Sequence, residues 1–356
     1  MTGSHRRRRP STMATNLPVA RPLPSRGVHL RPLTVILVAL LTAAACNSGA
    51  GQDAVIDRAP EPVETTVAPT TTLPAPTTTT EPDPAAARAV MTAGGIVVPV
   101  ISRAGDGWTV RTPCHATATL NQARAKSTGS PVIVLDPGHG GAEPGAVSPS
   151  GLAEKGVNLE VARHAQAALE EAGVATILTR TGDYEVTLPT RSEIARSVDP
   201  KAFVSIHHNA EPDGPRDGPG AETYYQIGSA DSKRLAGLIY EEVVKAMSQY
   251  KVAWVADRDA GAKYRPGRNG DYYAMLRQPG KVVSVLAELA FISNPAEAEL
   301  IARPDVQKVE GDAVARGIIR YLTTKDPGSG FTEPYPRVDP PGGPGGPGRA
   351  CRDPQL

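Results

Sequence analysis

The sequence predicts an α/β fold: a single domain with a mainly parallel or mixed sheet, covered by helices on both faces, between disordered flanks. Three observations predict it. Short continuous apolar runs such as Val132–Leu135 and Ala202–Ile206 read as buried strands and alternate with segments of helical period. Polar, chemically capable residues follow several of these runs at their carboxyl ends, where open α/β sheets place their sites. The 35 Pro and 35 Gly crowd toward the two ends, so the 356 residues hold one folded domain with irregular flanks and not two domains.

The formal net charge of +1 hides an asymmetry, because residues 1–45 carry seven Arg and no acid, leaving 31 basic against 37 acidic residues beyond them. That balance, with 4% aromatic residues, argues against nucleic acid as a partner. Residues 1–45 read as a signal peptide: an Arg-rich start, an apolar run from Leu33 to Leu41, and Ala43, Ala44 and Ala45 before Cys46. The apolar run is too short to span a bilayer. Cys46 resembles a lipoprotein attachment site that would tie the chain to a membrane; the other reading is plain cleavage at the same bond. Setting Cys46 aside leaves Cys114 and Cys351, which are expected to pair, since chain ends meet at a domain surface and export places thiols in an oxidising compartment.

Residues 46–86 form a Pro/Thr-rich linker that cannot bury a core and is expected to be extended. Residues 87–127 show a weak β pattern in GGIVVPVI and GWTVRTPC with a turn at AGDG, a small β-rich lead-in. The main domain spans 128–324 and opens with PVIVLDPGHGG. Asp136 and Pro137 end the strand, and Gly138, Gly140 and Gly141 turn the backbone around His139.

In GLAEKGVNLEVARHAQAALEEAG, Val157, Val161, Ala165 and Leu169 recur at helical spacing, Asn158 is placed to help cap, and Gly173 ends the helix. Glu154 stands just before this helix, beside the His139 loop; a carboxylate there also serves simply to complement the helix dipole. Val174–Leu178 is a strand, and a helix runs through Arg191 and Ala195. The strand AFVSI delivers His207 and His208 to the same edge as His139. Adjacent strand residues face opposite ways, so at most one histidine joins a shared site.

The strand AETYYQI precedes a helix from Asp231 to Tyr250, and Trp254–Arg277 reads as polar loop with one helical turn at YYAML. KVVSVLAELAFISNP is a buried strand ending near Glu288, an acid that is costly there unless paired or set beside a metal. A helix from Val306 to Leu322 closes the domain, and the Pro/Gly-rich tail of 325–356 is expected to be disordered from Asp326.

No nucleotide-binding glycine motif accompanies the sheet. Its carboxyl edge collects His139, Glu154, His207 or His208, Asn209 and Glu288. Two histidines and a glutamate with an open fourth position are a ligand set of zinc hydrolases, and a further carboxylate can move the proton of an activated water.

With VIVLDPGHGG, GLAEKGVNL, TR followed by D and then R, FVSIHHNA and LAELAFISNP in this order, the chain resembles the zinc-dependent N-acetylmuramoyl-L-alanine amidases of bacterial cell walls over about Pro131 to Leu322. The resemblance implies Zn2+ held by His139, Glu154 and His207, with Glu288 as catalytic base. It prefers His207 because that residue takes the histidine place of S-I-H-x-N. It implies hydrolysis of the amide between N-acetylmuramic acid and L-alanine, with peptidoglycan as partner, and marks Arg180, Arg191 and Asn209 as possible substrate contacts, for which structural pairing around the sheet edge is an equal reading. One departure is Ala290, where the family often has glycine. The competing readings are a silent peptidoglycan-binding module, against which the retained ligands and Glu288 count, and a zinc hydrolase of another amide.

Overall fold

The computed structural model describes residues 86–337 and 351–356; the expected signal segment, Cys46 and the linker up to residue 85 lie outside the described residues. The lead-in is a five-stranded antiparallel sheet of β1 (Ala89–Thr92), β2 (Val97–Ala104), β3 (Gly107–Arg111), β4 (Thr117–Asn121) and β5 (Ala125–Ser127), in the order β4-β3-β2-β1-β5. Alternate residues Val90, Val98, Trp108 and Val110 build its own small core. Ala89 and Val97 point the other way, into the core of the main domain.

The main domain runs β6 (Ile133–Pro137), α1 (Glu154–Glu171), β7 (Thr176–Leu178), α2 (Leu188–Val198), β8 (Ala202–Asn209), β9 (Gly214–Pro215), β10 (Glu222–Tyr225) and α3 (Ala230–Met247). It continues with β11 (Val255–Ala256), β12 (Ala262–Lys263), β13 (Pro266–Gly267), β14 (Gly270–Asp271), α4 (Ala274–Arg277), β15 (Ser284–Phe291), α5 (Pro295–Ile301) and α6 (Pro304–Thr323). Six strands form one sheet in the order β12-β10-β15-β8-β6-β7. All pairs are parallel except β10 with β15, so the sheet is mixed.

Period-two alternation along the central strands divides the core. Leu135, Val204 and Ile206 pack with Val161, Ile239 and Val314 of α1, α3 and α6, whereas Val134 and Phe203 pack with Ile194 and Met275 of α2 and α4. Burying both faces is what makes these strands continuous apolar runs.

Three boundaries differ from expectation. Strand β8 continues through both histidines to Asn209, and β15 continues past Glu288 to Phe291, because both extend their parallel pairing beyond the apolar run. Glu154 is the first residue of α1, not the residue before it. Helix α5, which the sequence reading left unassigned, is started by Asn294 accepting a hydrogen bond from the Ala296 N–H.

The tail corrects the expectation of disorder from Asp326. Along the β12 edge the Ala262 N–H donates to the Gly330 carbonyl (2.8 Å) and the Thr332 N–H donates to the Ala262 carbonyl (3.0 Å). Arg337 reaches Asp257 and Asp259. Proline and glycine content concealed a few side chains with defined partners. Cys114 and Cys351 form the expected disulfide, and Asp353 accepts from the Cys114 N–H (2.7 Å) and the Thr112 hydroxyl (2.8 Å).

Candidate metal centre

The site begins with the turn after β6. Gly138 is in close approach: a Cβ there would fall 2.1 Å from His207 Cε1, so only glycine leaves room for the imidazole. His139 then adopts a positive φ of 62°, an uncommon conformation for a residue with a side chain. Two buried arginines hold it. Arg191 donates to the His139 and Pro137 carbonyls (both 2.7 Å) and to Asp136 Oδ1 (2.6 Å). Arg180 donates to the carbonyls of Pro137, Gly138 and Lys155 (2.9, 2.9 and 2.7 Å). Asp136 is fully buried, yet Arg191, Thr179 and Ser205 outweigh that burial and keep its pKa below the ordinary value.

Glu154, at the N-terminus of α1 and 3% exposed, lies between the two histidines. Its Oε2 is 3.1 Å from His139 Nε2 and its Oε1 is 3.0 Å from His207 Nδ1, and the three ligand atoms all fall within 4.8 Å of one another. The backbone N–H of Ala146 donates to Oε2 (2.9 Å), and Asn158 donates to Oε1 (3.0 Å). Asn158 is therefore not the helix cap that its position suggested; the N-cap is Ala153, without a side-chain bond.

Burial opposes charge on His139, but Glu143, whose Oε1 is 3.1 Å from Nδ1, and Glu154 outweigh it and raise the pKa to about 9. Burial likewise opposes charge on Glu154, but its two imidazole neighbours hold the carboxyl well below its usual range. His207 moves the other way, pushed down by burial. Two imidazoles and a carboxylate converging on one point are the donor set zinc takes in hydrolases, so these residues fit that ion.

Register places Glu288 beside them. His207 pairs with Glu288 and Glu288 pairs with Glu222 across β8, β15 and β10, so the three side chains share one face. Glu288 is half-buried, but its Oε2 is out of solvent and has no hydrogen-bond partner. Burial first, then the charges of Glu154 and Glu222, push its pKa well above the usual value. Glu222 accepts from Asn209 (3.0 Å), the Tyr224 hydroxyl (2.7 Å) and Lys263 (2.7 Å).

Of the residues marked as possible substrate contacts, Arg180 and Arg191 are buried and spend their guanidinium donors on backbone carbonyls and Asp136, which is the structural pairing that was their other reading. Asn209 is half-buried, with its amide on Glu222. Sequence reasoning missed Glu222, whose signal was the one used for Glu288, an acid inside an apolar strand. It also missed the Lys263–Asp259–Arg337 contacts, which no local pattern announces. Glu222, Asp257 and Asp259 form a second group of acids spaced to hold a cation, and Lys263 and Arg337 already neutralise it.

Among known proteins, the family described as N-acetylmuramoyl-L-alanine amidase (Amidase_3) matches residues 133–320. The uncharacterized protein YqiI of Bacillus subtilis is 34% identical over 191 residues, which cover 53% of this chain and 84% of that protein. N-acetylmuramoyl-L-alanine amidase AmiC of Neisseria meningitidis is 29% identical over 249 residues, covering 58% of this chain and 56% of that protein, just over half its length. Among solved structures, N-acetylmuramoyl-L-alanine amidase AmiC2 of Nostoc punctiforme has a TM-score of 0.46 at 33% identity, over 55% of this chain and 98% of that one.

Proposed function

The chain belongs to the N-acetylmuramoyl-L-alanine amidase family, and we propose on that premise that it hydrolyses the amide between N-acetylmuramic acid and the first L-alanine of the peptidoglycan stem with one zinc ion. The observation that carries this reading is the convergence of His139, Glu154 and His207, with ligand atoms within 4.8 Å, beside a carboxylate oxygen of Glu288 that has no partner. A silent binding module has no use for either feature.

When bound, zinc supplies Lewis acidity to the scissile carbonyl and to the attacking water. The rest falls to the chain. His139, Glu154 and His207 would hold the ion at the sheet edge, with Arg191 holding the His139 backbone and Asn158 the Glu154 carboxylate. Glu288 Oε2 takes the proton of the attacking water and passes it to the leaving L-alanine amine. A carboxyl whose pKa is already raised suits both halves of that transfer, since it accepts a proton and holds it until the amine departs.

Residues 1–45 then serve as an export signal and Cys46 as the lipid attachment, with the linker letting the enzyme reach into the wall. The Cys114–Cys351 disulfide supports export into an oxidising compartment. Among the described residues no helix is long and apolar enough to cross a membrane. Cys46→Ala should release the protein from the membrane fraction, and retention there would remove the lipid from the scheme.

Digestion of purified peptidoglycan followed by mass spectrometry tests the reaction. Free stem peptides beginning with L-alanine are expected; cleavage at another amide would assign the machinery to a different substrate.

A further inference from the structure

We propose that the five-stranded lead-in sheet is a binding module for a polyanionic chain, seated in the cleft between that sheet and the end of α2. The sheet lies before the region matched to the family, at residues 133–320, so the amidase fold does not account for it. Its charge is set apart from the rest. Residues 86–129 carry Arg88, Arg103, Arg111, Arg124 and Lys126 against Asp106 alone, five basic to one acidic, whereas residues 130–356 hold 25 basic and 30 acidic. Net positive charge thus sits on this small module beside a main domain that is net negative, a pattern that steers an anionic partner.

Two of those five charges, Arg88 and Arg103, meet Arg196 of α2 in the cleft. It encloses about 370 Å³, within the range of ligand clefts, and is lined by Arg88, Arg103 and Arg196 with the hydroxyls of Ser102 and Ser197 and no carboxylate. Its guanidinium groups are partly pre-set. Arg103 lies 5.8 Å over the Trp108 ring, and Arg196 keeps one nitrogen 2.5 Å from the Gln278 carbonyl. Arg88 is exposed, and among the described residues no hydrogen bond or ion pair engages its side chain. The acid one turn before Ser197, Glu193, is taken by Arg111 at 3.3 Å. Guanidinium forks pair with phosphate and carboxylate alike, so the shared chemistry is a polymer with repeated anionic groups. Three arginines around a concavity suit a strand better than the plane of a bilayer.

The proposal borrows from the hydrolytic reading only the cell-wall setting. Its test uses isothermal titration of the full chain with sodium polyphosphate and, separately, polygalacturonate, and cosedimentation with vesicles of anionic lipid. Two triple variants are compared, R88Q/R103Q/R196Q in the cleft and R163Q/R258Q/R303Q at exposed sites elsewhere. At least one polyanion should bind, and the cleft variant should weaken it about tenfold or more while the control triple leaves it near wild type. Which polymer binds distinguishes phosphate from carboxylate. Release of stem peptide from a soluble muropeptide should be unchanged in the cleft variant, which keeps this test separate from that of the active site. Failure to bind either polyanion, equal loss in both triples, or binding to vesicles alone would overturn the assignment. Should the cleft triple not fold, Arg88→Glu at an exposed side chain asks the same question.

Discussion

His208 Nδ1 lies 2.8 Å from Asn158 Oδ1, and this contact sits directly behind the candidate metal ligand Glu154. Asn158 donates its amide N–H to Glu154 Oε1 (3.0 Å), so its oxygen can only accept, and His208 Nδ1 carries the hydrogen. The His208 backbone N–H also donates to Glu154 Oε1 (3.2 Å), and its Nε2 is 3.4 Å from the buried Glu310. With His207 preferred by the resemblance, the alternation along the strand leaves His208 facing away from the site. It does face away, yet it orients the amide that orients the ligand. Asn158→Ala and His208→Ala are expected to bind zinc about 10–100-fold more weakly while still filling at saturating metal. Competition with a chromophoric chelator measures this; wild-type affinity in both variants would remove the relay.

The division between ligands and base gives a second expectation. Glu288→Ala should keep zinc near one per chain and lose about 10²–10⁴-fold in hydrolysis, because proton transfer by a positioned group is worth that much. His139→Ala, Glu154→Ala and His207→Ala should lose metal and activity together. Metal analysis beside a peptidoglycan-release assay separates the two classes, and loss of zinc from Glu288→Ala would reverse the roles.

Much of this centre was legible because its residues fall where strands end. The runs before His139, His207 and Glu288 identify buried parallel strands, and parallel strands bring their carboxyl ends to one edge. Glu154 could be placed beside them because α1 starts there. What escaped was set by side chains distant in sequence. Arg191 resembles a substrate contact until the structure shows it closing on the His139 and Pro137 carbonyls, 52 and 54 residues away. Arg337 sits in a segment whose composition reads as disorder, and its partners Asp257 and Asp259 lie 80 and 78 residues back. Periodicity reports which face a residue takes, not which partner waits there.

Gly138→Ala tests how tightly the turn is fitted to the ligand. Gly138 does not have a positive φ, so alanine brings no backbone strain, only a Cβ at 2.1–2.5 Å from three atoms of the His207 ring. The variant should fold, displace His207 and weaken zinc binding about tenfold or more, the scale of a disturbed ligand orientation. Unchanged affinity with normal folding would mean that His207 reaches the metal from another rotamer.

The Cys114–Cys351 disulfide closes a loop with a sequence separation of 237. By the loop-entropy account, Cys114→Ser with Cys351→Ser should cost about 5 kcal/mol of stability. Urea unfolding of the double variant beside wild type, with intact masses confirming the bridge, checks this. Equal midpoints would show that the tail is held by its other contacts alone.

The last expectation concerns Arg337 and acid stability. Burial would raise the pKa of Asp259, but Arg337 and Lys263, with the Tyr335 N–H, outweigh it and hold the carboxyl at about 2, against an ordinary 3.8. A folded pKa below the unfolded one means stabilisation that is present above about pH 4 and lost as pH falls through about 2. Arg337→Ala removes the larger cationic contact, so Asp259 returns toward its ordinary value and that stabilisation shrinks. Breaking this partly buried pair should cost about 1–3 kcal/mol at pH 7, less than for a fully buried pair because the Arg337 side chain is 20% exposed. The difference between wild type and variant should stay constant from pH 7 to about 4 and narrow between about 4 and 2, where wild type loses what the variant already lacks. Urea midpoints across that range decide the matter: a gap that persists undiminished to pH 2 would assign Arg337 to packing, and no gap at pH 7 would dismiss the contact altogether.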